Sequence, residues 1–358
     1  MLQTIITLCI GIIGVGFVIG IHELGHFLCA KLFNIHTPSF SIGMGPRIFE
    51  KKIGDTTFAL SAIPLGGYVE IAGMAEINQG DQKSAHSTDS TSFAVKPYWQ
   101  KMLVISAGVI FNLVSAYITL FILAFVGLPE RSTIISTINP DTAAAQADLL
   151  AGDTLVSIDD HNLNNSALEL VTYMHNTRAG QTVCVQIMRN GLIKNVPVTL
   201  GARNPGSPDS PGALGITDFT VVYKKSSSFI QAHNAAYSII RSIIFNTFTA
   251  LSQIFRGGAI RGTLGGPLML IKGTAGAASQ GVLAFLFFLA FFSVSLAVLN
   301  ILPIPILDGG QAVFITLEAI LRRPLNPTVR QYIHIACWLL LMGLMLVLSY
   351  YDLSAMLR

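Results

Sequence analysis

The sequence predicts an α-helical polytopic membrane protein with about four transmembrane helices, a membrane-associated β-hairpin region and one small α+β domain. Three observations predict this class. Of the 358 residues, 52% are hydrophobic and 11% are charged, which lies outside the range of soluble globular proteins. Four apolar stretches reach the length of about 20 residues that a helical span needs. Between the second and third stretches lies a polar segment with the size of one small domain.

The four predicted spans differ in how they begin and end. No charged residue occurs from Met1 to Ile21, and a cleavable signal peptide is disfavoured because no positive residue opens this segment. Pro129 ends the second span, and Pro303 and Pro305 take the end of the third out of helical geometry. The segments predicted to contain the spans are 1–33, 98–128, 273–310 and 333–358.

The pattern His22-Glu23-Leu24-Gly25-His26 lies at the end of the first span. On a helix, residues i and i+4 share one face, so His22 and His26 can bind one Zn²⁺ ion. Glu23 lies between them and is placed to take a proton from water, as in the HExxH motif of metalloproteases. Ionisable groups at membrane depth are costly and usually functional, which disfavours a chance pattern.

A third protein ligand is expected because two histidines leave a catalytic zinc one ligand short. Asp308 is the best candidate. The prolines Pro303 and Pro305 hold the preceding chain extended, and Gly309 and Gly310 follow directly, so the sequence fixes a backbone here rather than continuing a span. An aspartate that only caps an interfacial helix is the alternative.

Residues 34–97 predict a β region on the cytoplasmic side of the membrane, followed by a polar loop. Glycines and a proline break the first β segment at 43–46, and a sharp turn is expected at 64–68. At membrane depth such a hairpin must be buried in protein or line a wet cavity. An ordinary cytoplasmic hairpin remains the alternative. Segment 77–92, rich in Asn, Gln, Ser, Thr and Asp, predicts a loop.

Residues 129–202 predict the small α+β domain, with strands, two helices and a hairpin turn at Asn190-Gly191. Residues 203–272 then predict a linker rich in Pro, Gly and Ser, followed by one or two interfacial amphipathic helices. Residues 311–332 are expected to form a cytoplasmic loop between the third and fourth spans.

The distribution of positive charge predicts the orientation of the chain. Lys and Arg concentrate in the loops after the first and third spans, and such loops stay in the cytoplasm. Both termini and the α+β domain are then expected outside the cytoplasm, with the histidine motif toward the cytoplasmic side. The net charge of +3 and the lack of a dense basic run argue against nucleic acid as a partner. The positive residues of the two loops are Lys31, Arg47, Lys51, Lys52, Lys83, Lys96, Lys101, Arg322, Arg323 and Arg330.

Over most of its length the chain resembles bacterial site-2 proteases of the RseP type. The motifs that carry the resemblance are the histidine motif at 22–27, the β segment Ile63–Val69 and the NxxPxPxLDGG run from Asn300 to Gly310. The α+β domain is similar to the PDZ domain of that family. This chain has room for one such domain where many relatives have two. It also has Val109 where proline is usual and Gln311 where histidine is common.

The resemblance implies roles for individual residues. His22, His26 and Asp308 would bind one zinc ion, and Glu23 would act as the base. The remaining implied residues lie near the site or the substrate, and they are Asn112, Asn300, Gly66 and Gly67.

The implied function is intramembrane zinc-dependent proteolysis in a bacterial inner membrane, as in regulated intramembrane proteolysis. Substrates would be single-span membrane proteins already cut by another protease, such as an anti-sigma factor, or signal-peptide remnants. An exposed strand edge within 40–69, near Thr56–Ile63, would pair with the unwound substrate. Two alternatives stay open, a zinc-binding membrane transporter and a catalytically silent scaffold that binds peptide tails through its PDZ domain.

Overall fold

The computed structural model describes residues 2–74, 89–163, 167–202, 211–255 and 266–356. Residues 77–88 of the predicted polar loop, and residues 203–210 and 256–265 of the predicted linker and interfacial segment, lie outside these residues. The chain forms two compact units. The first consists of Met1–Val126 with Ser226–Arg358, and the second of Gly127–Lys225.

Seven α-helices and one β-hairpin form the described part of the first unit. These elements are α1 (Leu2–Leu32), β1 (Ser39–Ile53), β2 (Thr56–Glu70), α2 (Tyr98–Val126), α5 (Phe229–Phe255), α6 (Pro267–Ser279), α7 (Val282–Ile301), α8 (Asp308–Leu321) and α9 (Pro327–Met356). Helix α2 is central, since it packs against α1, α5, α7 and α8. A buried apolar cluster joins α1, the hairpin, α2 and α8.

Four helices of the described residues are long and apolar enough to cross a membrane. These candidate spans are Cys9–Leu32, Tyr98–Val126, Val282–Ile301 and Thr328–Ser354. The third candidate span lies within the predicted segment 273–310 and begins after Gly281, whose φ of 110° favours glycine. Residues 267–279 form the separate helix α6 before this glycine. The second span ends at Val126, two residues earlier than predicted, because Leu128 already belongs to a strand.

The β region consists of two 15-residue strands joined at Gly54–Asp55, rather than the several short segments predicted. Both strands bend, because the register shifts repeatedly between residues 39 and 49. The first part of β1, 39–42, pairs with 67–70 and also with 57–60. Since Phe58 pairs with both Phe40 and Lys51, segment 57–60 has partners on both sides. The edge predicted near Thr56–Ile63 is therefore largely interior.

The predicted loop at 311–332 is mostly helix, since α8 runs from Asp308 to Leu321. Phe314 and Ile315 of α8 are buried, and Ile315 belongs to the cluster that includes α1 and α2. This burial of one apolar stripe stabilises the helix.

The second unit is a β-sheet with two short helices. The sheet order is β10-β3-β4-β6-β7, with β5 beside β4 and all pairings antiparallel. The elements are β3 (Leu128–Ile138), α3 (Ala143–Gln146), β4 (Thr154–Ile158), β5 (His161–Asn162), α4 (Ala167–Met174), β6 (Thr182–Arg189), β7 (Leu192–Thr199), β8 (Gly201–Ala202), β9 (Gly212–Ala213) and β10 (Ile216–Lys224). The domain extends beyond the predicted boundary at 202, because β10 pairs with β3.

A partly buried ion pair joins Asp153, directly before β4, to Arg189, the last residue of β6. Asp153 is 1% exposed, and both carboxylate oxygens accept hydrogen bonds of 2.6 Å from Arg189. The amide of Leu150 donates a third hydrogen bond to Asp153, at 2.8 Å. Burial raises the pKa of the Asp153 carboxyl, but the Arg189 and Leu150 donors outweigh it and hold that pKa below its ordinary value.

We expect Arg189→Ala to destabilise this domain, because it leaves the Asp153 carboxylate buried without its partner. The melting midpoint of the purified protein should fall by on the order of 5 °C at neutral pH. The pKa of Asp153 is lower in the folded than in the unfolded chain, so the pair stabilises at neutral pH and its contribution is lost as the pH falls through the folded pKa. Thermal scans at neutral and acidic pH measure both effects. Arg178→Ala, at an exposed position, is the control, and equal midpoints for the two variants would contradict this account.

Candidate active site

Helix α1 carries the two histidines of the predicted motif on its buried face. His22 is 6% exposed and His26 is 7% exposed. Their rings meet edge to face, and their Nε2 atoms are 3.2 Å apart. The spacing of four residues therefore brings one nitrogen of each ring to the same point, as the sequence predicted.

Helix α2 forms the wall against which these histidines pack. Val104, Gly108 and Asn112 follow one another at intervals of four residues and share one face of α2. The Val104 carbonyl accepts a hydrogen bond from Nδ1 of His26 at 2.8 Å, and the Asn112 amide lies 3.3 Å from Nδ1 of His22. A Cβ at Gly108 would lie 2.6 Å from Cε1 of His22. Glycine is thus required for the helices to approach this closely.

Asp308 completes a set of three possible metal ligands. Its Oδ2 lies 3.2 Å from Nε2 of His22 and 3.5 Å from Nε2 of His26. Because the Val104 carbonyl can only accept, Nδ1 of His26 carries a proton, and the ring in its neutral form has its lone pair at Nε2. A tetrahedral zinc site with bonds of about 2.0–2.1 Å places its donor atoms about 3.3 Å apart. The three donor atoms fit that requirement.

The surroundings of Asp308 also favour a cation. Among the described residues, its Oδ2 is a buried side-chain oxygen without a hydrogen-bond partner. A carboxylate oxygen this close to two imidazole nitrogens is stabilised by a positive charge among the three atoms. Within the described part of the chain, His22, His26 and Asp308 are the one cluster of His, Cys, Asp and Glu side chains able to hold a metal ion.

The chain between α7 and α8 brings Asp308 to this position. Helix α7 ends at Ile301, and α8 begins at Asp308 itself. A Cβ at Gly309 would collide with the carbonyl of Ile301, and one at Gly310 with the carbonyl of Ile304. The double glycine therefore lets the start of α8 pack directly on the backbone that leaves α7.

Asn300, the last buried residue of α7, lies beside the three donor atoms. Its Nδ2 is 3.2 Å from Nε2 of His22, and the residue is 8% exposed. An amide at this position can donate to an oxygen that approaches the donor atoms. Asn112, which the resemblance also implies near the site, lies on the opposite edge of the His22 ring, at Nδ1.

Glu23 faces strand β2 of the hairpin. Its carboxylate accepts a hydrogen bond from the backbone amide of Val69. A Cβ at Gly67 would lie 3.1 Å from Cγ of Glu23, so this glycine lets the strand pack directly on the carboxylate side chain. Gly66 has a φ of 111°, and a Cβ there would lie 2.8 Å from the Met44 side chain. Gly67 thus contacts the site, whereas Gly66 shapes the strand beside it.

A polar network next to the loop before Asp308 was not predicted from the sequence. Gln311 donates from Nε2 to the Pro305 carbonyl at 3.1 Å, and the same atom lies 3.3 Å from Nε2 of His334. Arg330 donates to Oε1 of Gln311 at 2.5 Å. These contacts attach the loop before α8 to α9. The signal for them was present, because Arg330 and His334 are polar residues one turn apart at the start of an apolar helix.

Comparison with known proteins decides the family. The model of peptidase family M50 matches residues 10–344, which is most of the chain. The chain belongs to peptidase family M50. This is the site-2 protease family that the sequence motifs predicted, so the prediction is confirmed.

Relatives of this M50 protein carry zinc metalloprotease in their names. One from Clostridium perfringens is 30% identical over 345 residues, covering 93% of this chain and 94% of the relative. One from Campylobacter jejuni is 29% identical over 350 residues, covering 95% and 91%. The M50 protein is therefore a zinc metalloprotease, as predicted. Among solved structures, the PDZ domain of an SdrC-like protein from Listeria innocua is similar at 23% identity and a TM-score of 0.22, covering 24% of this chain and 92% of that one.

We expect Gly108→Ala to reduce zinc binding, because the added methyl group would occupy space next to Nε2 of His26 and Cε1 of His22. Zinc content after purification should fall well below one ion per chain, and cleavage should fall with it. Gly343→Ala is a matched control, since a Cβ at this glycine of α9 meets no atom within 4 Å. Equal zinc content in the two variants would show that α2 does not press on the histidines.

Proposed function

We propose that this M50 protein hydrolyses peptide bonds within transmembrane segments of single-span membrane proteins. The observation that carries the proposal is the cluster of His22, His26 and Asp308 beside Glu23, in which both histidines are buried on a helix long and apolar enough to cross a membrane. His22, His26 and Asp308 are the proposed protein ligands of one zinc ion, which leaves a fourth position for water or substrate.

Zinc, when bound, would polarise the scissile carbonyl and make water a better nucleophile at neutral pH. Glu23 then takes the proton of the attacking water and delivers it to the departing amine nitrogen, so that the peptide bond breaks into a carboxylate and an amine. The hydrogen bond from the Val69 amide holds the Glu23 carboxylate in one orientation during these transfers. Asn300, whose amide lies beside the donor atoms, donates to the substrate carbonyl oxygen.

A helical substrate must be unwound before its peptide bonds are accessible. Segment 67–70 of β2 pairs with 39–42 on one side, and it lies against Glu23. We therefore assign the substrate-pairing edge to this segment rather than to the interior segment 57–60. A strand added along 67–70 would pass next to the proposed base.

The proposed setting is a bacterial inner membrane, with the cluster toward the cytoplasmic side and both termini and the PDZ-like domain outside the cytoplasm. The excess of Lys and Arg in the loops after the first and third spans supports this orientation. The proposed substrates have lost their extracytoplasmic domains to an earlier protease, as anti-sigma factors and signal-peptide remnants do in regulated intramembrane proteolysis.

Two alternative functions differ from hydrolysis in what they require of Glu23. A zinc transporter needs a polar pathway across the bilayer as well as a binding site. A silent scaffold needs no base at all. The contact between Glu23 and the backbone of β2 favours hydrolysis, because it orients a carboxylate that is not among the proposed ligands.

We expect Glu23→Gln to retain stoichiometric zinc and substrate binding while losing cleavage by at least the factor of about 10²–10⁴ typical of general acid–base catalysis. Asp308→Ala should lose both zinc and cleavage, because it removes a ligand. Zinc content and cleavage of a reconstituted single-span substrate measure the two effects in wild type and both variants. Cleavage by Glu23→Gln near the wild-type rate would refute hydrolysis as described, and full zinc content in Asp308→Ala would remove Asp308 from the site.

Substrate pairing along 67–70 predicts an alternating pattern in the substrate backbone. In a β-ladder, every second residue directs its amide toward one neighbouring strand. We expect N-methylation of single amides near the scissile bond of a synthetic substrate to slow cleavage at every second position. As a control, the same series of N-methylated peptides is bound to the inactive Glu23→Gln variant in detergent. The affinity of each peptide for this variant is measured. A uniform effect along the substrate, without a period of two, would argue against strand addition.

A further inference from the structure

Asn112 has an unusual environment for a residue expected to contact substrate. It is fully buried on α2, and among the described residues its Oδ1 is a buried oxygen without a hydrogen-bond partner. Its Nδ2 lies 3.3 Å from Nδ1 of His22. Its backbone carbonyl accepts hydrogen bonds from the hydroxyls of Ser115 and Ser293, each at 3.0 Å. The Asn112 backbone is thus held by one serine of α2 and one of α7, and its side chain faces a histidine.

The hydrogen-bonding chemistry at this contact determines which way the amide faces. If Nε2 of His22 binds a metal ion, the neutral ring carries its proton on Nδ1, and that proton needs an acceptor. An amide nitrogen cannot accept it, whereas the amide oxygen can. The two ends of an amide have nearly the same shape, and a half turn of the Asn112 amide places Oδ1 on Nδ1 of His22. This turn gives the buried oxygen the partner that it lacks.

The partner histidine shows the same arrangement. Nδ1 of His26 donates to the carbonyl of Val104, two helical turns before Asn112 on the same face of α2. Metal-binding histidines generally donate their other ring N–H to an oxygen, which fixes the tautomer and the ring orientation. One face of α2 would therefore hold both histidines with Nε2 free, through one backbone oxygen and one side-chain oxygen.

We propose that Asn112 is a positioning residue that accepts a hydrogen bond from Nδ1 of His22 and so holds this ring in its metal-binding tautomer. The role rests on the proposed function, in which His22 is a zinc ligand. It differs from a substrate-binding role in one chemical respect, since the residue works as an acceptor and not as a donor. It also differs from the role of Asn300, whose amide lies at the opposite edge of the ring, near Nε2.

The test compares Asn112→Asp with Asn112→Leu in the full-length protein. Asp keeps an oxygen acceptor and lacks the amide donor, whereas Leu has a similar size and lacks both. Zinc affinity, measured by competition with a chelator, should be weakened by about 10–100-fold in Asn112→Leu, the usual effect of losing such a partner. It should stay within a few-fold of wild type in Asn112→Asp. Cleavage by Asn112→Leu should recover when zinc is supplied in excess.

Unchanged zinc affinity in both variants, with a raised KM for the substrate, would overturn the proposal and return Asn112 to substrate binding. A second measurement needs no variant. In zinc-bound protein labelled with ¹⁵N-histidine, the shifts of His22 and His26 should both show a proton on Nδ1, and a proton on Nε2 of His22 would equally overturn the proposal. If wild-type protein binds no zinc, the proposed function fails first. If wild type binds zinc and Asn112→Leu binds it equally well, this inference alone fails.

Discussion

The close approach of α1 and α2 is the contact on which the rest of the site depends. A Cβ at Gly25 of α1 would lie 2.5 Å from the carbonyl oxygen of Ala107, and Gly108 leaves room for the two histidine rings. With any larger residue at these positions the helix axes would separate. The Val104 carbonyl would then no longer reach Nδ1 of His26 at 2.8 Å. Two glycines thus set the distance at which α2 can control the ring nitrogens of α1.

With the His22 and His26 rings held in place, the path of α7 and α8 is constrained by polar atoms that need partners. In an apolar interior each such atom is costly unless it finds a partner. In the proposed site a cation binds His22 and His26, and Asp308 supplies the charge that balances it. Helix α7 must therefore end early enough for the chain to turn back, which Pro303 and Pro305 enforce. Gln311 then fixes the turned chain by donating to the Pro305 carbonyl. The break between α7 and α8 and the hydrogen bond of Gln311 therefore both help to position the Asp308 carboxylate.

The sequence predicted the parts of this arrangement that depend on local spacing. Local backbone geometry follows from the four-residue interval between His22 and His26 and from the prolines before Asp308. These features can be interpreted without knowing which distant residues they contact. Helix α8 was missed because its stability comes from burying Ile315 against other elements, and the pairing of β10 with β3 was missed for the same reason. The interior position of segment 57–60 depends on a bend in β1, which no short-range pattern reveals. In each case the prediction was wrong because the feature depends on a contact between residues that are distant in the sequence.

The position of β2 couples substrate capture to the chemistry in the proposed mechanism. The amide of Val69 orients the Glu23 carboxylate, and Gly67 packs on the same side chain. A substrate strand that adds along 67–70 would be positioned by the backbone that positions the base. Misplacement of a reacting group by about 1 Å can lower the rate by a factor of about 10². Because one strand positions both the substrate and the Glu23 carboxylate, the distance between these two groups varies less. A change at Gly67 should therefore move the base and the substrate together, whereas a change at Asn112 should act on the metal ligands alone.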